Sequence, residues 1–103
     1  MLIVRSHNGI PIRLTEERWD HIRYHHPEME GLREQVLETL SGPEIIQQGD
    51  YGDLLAIRFY HQTPLTRKYL VVVYREVSAD DGFILTAYLT TRPSARRIMI
   101  WKS

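Results

Sequence analysis

Cysteine is absent from the 103 residues. That removes thiolate catalysis, disulfide frameworks and cysteine-ligated zinc together, and it fits a reducing compartment. No apolar run approaches the about 18 to 20 residues needed to span a bilayer. The stretch from Met1 to Arg13 has no basic segment followed by an apolar one. A soluble, cytoplasmic chain with no membrane partner is the expectation. Net charge is missing as well, since 13 Lys and Arg balance 13 Asp and Glu. A protein that holds nucleic acid by charge alone carries a broad basic excess, so a nonspecific DNA binder is disfavoured. Lysine is scarce, with Lys68 and Lys102 the only examples. The positive charge is therefore almost all arginine, whose planar fork matches phosphate and carboxylate in two-point contacts. The glycine-rich loops that cradle nucleotide phosphates are also lacking. Ser41 and Ser94 have no strand-turn-helix context of a hydrolase nucleophile.

What is present suits one domain over residues 1–103. An apolar share of 43% with 10% aromatic residues supplies a core without a metal or disulfide staple. Asn8-Gly9 between Leu2-Ile3-Val4 and Ile10-Pro11-Ile12 predicts an opening hairpin or two edge segments, with Pro11 confining the second to an edge. Thr15 reads as the N-cap of a helix that carries Glu16 and Glu17 in its first turn and runs to about His26. Pro27 turns the chain, and Met29, Leu32, Val36 and Leu40 space a second helix from Glu28 until Gly42-Pro43 stops it. Strands follow at Ile45-Ile46, Leu54 to His61, Tyr69 to Glu76 and Phe83 to Thr91, with an apolar tail from Ile98 to Trp101. The fold class is α+β: two N-terminal helices on one face of a roughly four-stranded antiparallel meander, with short N- and C-terminal edge segments.

Period-two alternation sorts the strand residues into two faces. Leu55, Ile57, Phe59, Leu70, Val72, Tyr74, Phe83, Leu85, Ala87 and Leu89 are expected to meet the helices. The opposite face then gathers Arg58, Tyr60, Arg75, Thr86, Tyr88 and Thr90 around an aliphatic middle. Solvation and strand propensity explain isolated arginines and threonines there. An anion-binding or catalytic surface explains the whole group better.

Histidine supplies acid-base chemistry, because its unperturbed pKa lies near 6.5. His21 and His25 share a helical face, but Ile22 stands where a His-Glu-x-x-His motif needs glutamate, and no metal or other cofactor is expected. His26, in the corner set by Pro27 and beside Glu28, and His21 are the two proton-transfer candidates. Asp80-Asp81 sits in a turn, where hydration explains it.

The segments Trp19-x-His21-Ile22, His26-Pro27-Glu28, Lys68-Tyr69-Leu70-Val71-Val72-Val73-Tyr74 and Thr86-Ala87-Tyr88, in this order of elements, are similar to a known group. The chain resembles the small-domain nucleases grouped as barnase, EndoU, colicin-type tRNases and RelE-type toxins, particularly their phage-associated and uncharacterised bacterial branches. The resemblance covers roughly residues 14 to 92. It implies helices on one side of an antiparallel meander and RNA, single-stranded or tRNA, against the other. It also implies metal-independent endoribonuclease activity, in which the RNA 2′-hydroxyl attacks the neighbouring phosphate, and a toxin role with an antitoxin or immunity partner. Carried onto this sequence, Arg58 and Arg75 would clamp phosphate and His26 or His21 would move the proton. Tyr88 would act as acid or orienter, Thr86 and Thr90 as hydrogen-bond donors, and Tyr60 or Tyr69 as a base-stacking ring. No glutamate falls on that face to serve as a barnase-like base. The alternatives are a noncatalytic RNA- or protein-binding module of the same fold, and a small structural or regulatory domain. Oligomeric state is not legible.

Overall fold

The Thr15 hydroxyl accepts a hydrogen bond from the Arg18 amide at 3.0 Å, which caps the first helix, α1 (Glu16–His25). The computed structural model describes residues 1–103. The α1 helix buries Trp19 and Ile22, each burial stabilising by roughly 1.5 to 3 kcal/mol for a large apolar side chain. It ends where Pro27 disfavours helical geometry at His26. A continuous second helix from Glu28 does not form. Instead Pro27–Met29 makes one 3-10 turn, Gly31 takes a φ of +80°, and the second helix, α2, spans Arg33–Ser41. The left-handed glycine breaks the helix that apolar spacing alone suggested.

Seven strands form one sheet: β1 (Leu2–Arg5), β2 (Pro11–Leu14), β3 (Ile45–Gln48), β4 (Leu54–Tyr60), β5 (Lys68–Ser78), β6 (Asp81–Thr90) and β7 (Met99–Lys102), in the order β1-β2-β6-β5-β4-β3-β7. The α+β class therefore holds, and β3 to β6 are the antiparallel meander. The four-stranded description is too small, because the β1-β2 hairpin joins β6 in parallel and β7 joins β3. The parallel seam is short, with only Ile12 opposite Gly82 and Arg13 opposite Phe83. It leaves no hairpin turn in the sequence by which to find it. Pro11 is not on an edge strand. It opens β2, a position that tolerates a missing N–H. The edges are β1 and β7, and the sheet curls enough that His7, in the β1-β2 turn, lies 4.2 Å from Trp101 between ring centroids.

The main core fills the space between helices and sheet with Trp19, Ile22, Met29, Val36 and Leu40 against Ala56, Leu70, Val72, Tyr74, Ile84 and Ala87. A smaller cluster of Leu55, Ile57 and Val71 lies on the opposite face. No helix is long and apolar enough to cross a membrane.

Tyr74 is fully buried in the main core, and its hydroxyl has no hydrogen-bond partner. An unsatisfied buried hydroxyl costs about 1 to 3 kcal/mol. Tyr74→Phe keeps the ring and removes the cost, so we expect the variant to be more stable by about 1 kcal/mol in urea unfolding. A destabilised Tyr74→Phe protein would refute this account of the core.

Candidate functional site

Face assignment decides which side chains can meet. On β5 the expected parity is observed, with Leu70, Val72 and Tyr74 toward the helices. On β4 it is reversed: Ala56 is in the main core, whereas Leu55 and Ile57 pack with Val71 on the far face. Both faces of β4 are aliphatic, so alternation has no polar side by which to choose. On β6 a bulge intervenes, since Val73 faces Thr86 while Tyr74 faces Ile84. The extra residue, Leu85, changes parity within the strand and puts both Ile84 and Ala87 in the core.

The expected arginine clamp is consequently not assembled. Arg58 lies on the helix side, where its Nη1 donates to the Gly42 carbonyl at 3.1 Å and its guanidinium sits 5.8 Å from the Tyr60 ring centroid. Tyr60 is on that side too, and its hydroxyl donates to Glu38 Oε1 at 2.7 Å and lies 3.1 Å from the Thr39 hydroxyl. It is an anchor for α2 rather than a ring offered to a base. Arg75 does lie on the far face but is engaged by Asp53, with Nη2 and Nε at 2.6 and 2.8 Å from Oδ1. His21 stacks on His25, centroids 4.4 Å apart, on the exposed side of α1. Asp81, expected to be a hydrated turn residue, instead takes a two-point contact from Arg13 at 2.7 and 3.0 Å. That contact holds its carboxyl below the usual range.

Burial pushes the Tyr60 hydroxyl up to about 12, with Thr39 lowering and Glu38 raising it. The folded chain thus keeps a proton that unfolded tyrosine releases near pH 10. This contribution is full below about pH 10 and is lost as pH rises through about 12. Tyr60→Phe should therefore flatten the fall in urea midpoint over that alkaline window. An equally steep fall would assign it to other groups.

The remaining candidates come together around Tyr88. Tyr69, Arg75, Thr86, Tyr88 and Thr90 share the far face, as their register with Val71 and Val73 shows. Beyond Phe83 the outer border of β6 has no strand beside it, and α1 and the 3-10 turn cover it, with Arg18 Nη1 reaching the Leu85 carbonyl at 3.3 Å. His26 comes over this border from the helical layer, and its ring centroid lies 5.8 Å from that of Tyr88. Its main chain is fixed on both sides, the N–H donating to the Ile22 carbonyl at 2.8 Å and the carbonyl accepting from Met29 at 2.9 Å. Glu28 Oε2 is 3.7 Å from His26 Nδ1, beyond hydrogen-bond reach.

Tyr88 also lines a cavity of about 180 Å³ whose walls include Leu55, Ile57, Val71, Thr90, Arg92 and Arg97. Burial raises the Tyr88 pKa, and the nearby Arg97 guanidinium works against that shift. The phenol is consequently a protonated donor at neutral pH. Arg97 makes only long contacts, at 3.4 Å to the Gln48 carbonyl and Asp50 Oδ1, and no carboxylate engages Arg92. These two arginines escaped the sequence reading. Their signal was the basic segment Arg92-Pro93-Ser94-Ala95-Arg96-Arg97, which follows β6 directly. A larger cleft of about 360 Å³ lies between α1 and α2. Both arginines that line it are already paired, Arg23 with Asp20 and Glu30, and Arg33 with Glu16. No three His, Asp or Glu side chains are grouped closely enough to hold an ion.

Comparison with family models, curated proteins and solved structures gives no match for this chain.

Proposed function

We propose that the chain is an endoribonuclease acting by 2′-hydroxyl transesterification without a metal, with its centre at His26 and Tyr88 rather than at an Arg58–Arg75 clamp. One observation carries this reading. An imidazole from the helical layer and a half-buried phenol from the sheet stand 5.8 Å apart at their centroids, and the phenol lines a cavity that also carries Arg92 and Arg97. A base beside a hydroxyl donor, with cations at the concavity that the donor lines, is what this reaction requires.

In the proposed step His26 accepts the proton of the RNA 2′-hydroxyl, the 2′ oxygen bonds to phosphorus and the bond from phosphorus to the 5′ oxygen breaks. The Tyr88 hydroxyl gives its proton to that leaving oxygen. The imidazolium then returns a proton to the tyrosinate beside it, which restores both groups. Arg92 and Arg97 balance charge on the five-coordinate phosphorus, and Thr90 and Thr86 supply further hydroxyl groups along the same face. Tyr69, in edge contact with Phe59 at 5.0 Å between centroids, offers the ring for a neighbouring base. His26 does not depend on a barnase-like glutamate in this scheme.

The test is incubation of the purified chain with single-stranded RNA and with tRNA in a chelator. The expected products end in 2′,3′-cyclic phosphate and 5′-hydroxyl. Folded protein that binds RNA and leaves it intact would instead support the noncatalytic binding module. A toxin role, with an antitoxin or immunity protein as partner, further predicts growth arrest on expression.

A further inference from the structure

Gln47, on β3, is only 3% exposed, yet it lines the same cavity as Tyr88. Its Nε2 donates to the Ser94 carbonyl at 2.9 Å. Because a carbonyl can only accept, that bond fixes which end of the amide is nitrogen. The Oε1 atom is therefore an acceptor, and it is buried without a partner. A buried amide oxygen that accepts nothing is costly unless something supplies the missing donor. The Nε2 bond to Ser94 seats the loop over β3, but no bond within the fold uses the Oε1 end of the amide. A methionine or leucine fills a strand site of this kind, and the neighbouring walls Leu55, Ile57 and Val71 are aliphatic.

We propose that this cavity is a base-recognition subsite that takes a keto base of RNA, guanine or uracil, with Gln47 Oε1 accepting the imino N–H of the ring. The inference rests on the ribonuclease reading for its substrate class. The aliphatic side chains of Leu55, Ile57 and Val71 suit the face of a planar heterocycle, and about 180 Å³ suits one small ring system rather than a whole nucleotide. Guanine and uracil present an imino N–H beside a carbonyl oxygen. That pattern complements a cavity whose lining holds both an unpartnered acceptor, Gln47 Oε1, and the guanidinium donors of Arg92 and Arg97. Adenine and cytosine present an unprotonated ring nitrogen where the imino N–H would be, and two acceptors then face each other. A site built to receive a particular N–H discriminates strongly against a ligand that lacks it.

The test is titration of the folded chain with the four nucleoside 3′-monophosphates, followed by the NMR side-chain amide signal of Gln47 and by affinity. Guanosine and uridine monophosphates should bind about tenfold or more tightly than the adenosine and cytidine compounds. They should also shift that signal. The N3-methyl derivative of uridine monophosphate, which lacks the imino proton, should lose the advantage on unaltered protein. Gln47→Met should erase the preference, and because the methylated probe needs no substitution, a misfolded variant does not spare the proposal. Equal binding of all four, binding of none, or undiminished binding of the methylated compound overturns it. Base-selective binding without RNA cleavage leaves the subsite standing and removes the ribonuclease reading. Cleavage with no base preference does the reverse.

Discussion

Replacing His26 with alanine is expected to slow RNA cleavage by about two to four orders of magnitude, the usual contribution of a positioned acid or base. The melting temperature should barely move. The side chain is about one third exposed and makes no hydrogen bond, so its removal opens no core cavity. The main-chain bonds that shape the corner belong to the peptide and survive the substitution. In kinetic terms the loss should fall on kcat, with RNA affinity nearly unchanged, because the imidazole acts on a proton in flight rather than on the bound phosphate. His21→Ala is the matched control. That ring packs on His25 away from the sheet, and the variant should cleave as the parent does. Equal rates for parent and His26→Ala would move the chemistry off this corner. A His21→Ala protein as impaired as His26→Ala would indicate general damage to α1.

Gly82→Ala is expected to cost about 3 kcal/mol or more, at the upper end for overpacking because backbone is among the atoms struck. Gly82 is buried where the hairpin meets the meander. A Cβ there would stand 2.5 Å from the Arg75 carbonyl oxygen and 2.5 Å from Ile12 Cδ1. The isoleucine tip can rotate away, but the carbonyl is held in the β5-β6 ladder and cannot. Relief therefore requires parting β6 from a neighbour. The parallel seam has just two register pairs to hold it, so the hairpin is the side that yields. Urea unfolding reads the loss directly, and a variant within 1 kcal/mol of the parent would show that the strand seam adjusts more freely than this geometry allows.

The class of the fold, the capped first helix and the meander are legible because each has a local signal: Thr15 before Glu16, the Gly42-Pro43 stop, and alternating runs with turn residues between them. Three things are not legible, each for a physical reason. The β2-β6 seam joins segments far apart in the chain, and no local pattern encodes such a pairing. The parity of β4 is hidden because Leu55 and Ile57 are as apolar as the residues between them, and burial on both faces removes the contrast on which alternation depends. The bulge at Leu85 inserts one residue without a glycine to announce it. The last two decided the candidate site. They sent Arg58 and Tyr60 to the helix side and left Tyr88 and Thr90 facing the cavity. Of the two histidine candidates, only the one fixed by Pro27 meets a sheet residue. The Arg92 to Arg97 segment was overlooked because a basic loop has no periodicity, and only its return over β3, through Ser94 and Gln47, gives it a place in the site.

His26 rides on the helices and Tyr88 on the sheet, so the thickness of the oily filling between the two layers sets how far apart the two proposed reacting groups stand. Interiors this tightly filled transmit a lost or added methylene as displacement of whole elements. Reactive geometry is sensitive to about 1 Å. Trp19, Ile22 and Met29 thus act as spacers, and under the proposed function drift in the interior would retune turnover with His26 and Tyr88 themselves unchanged.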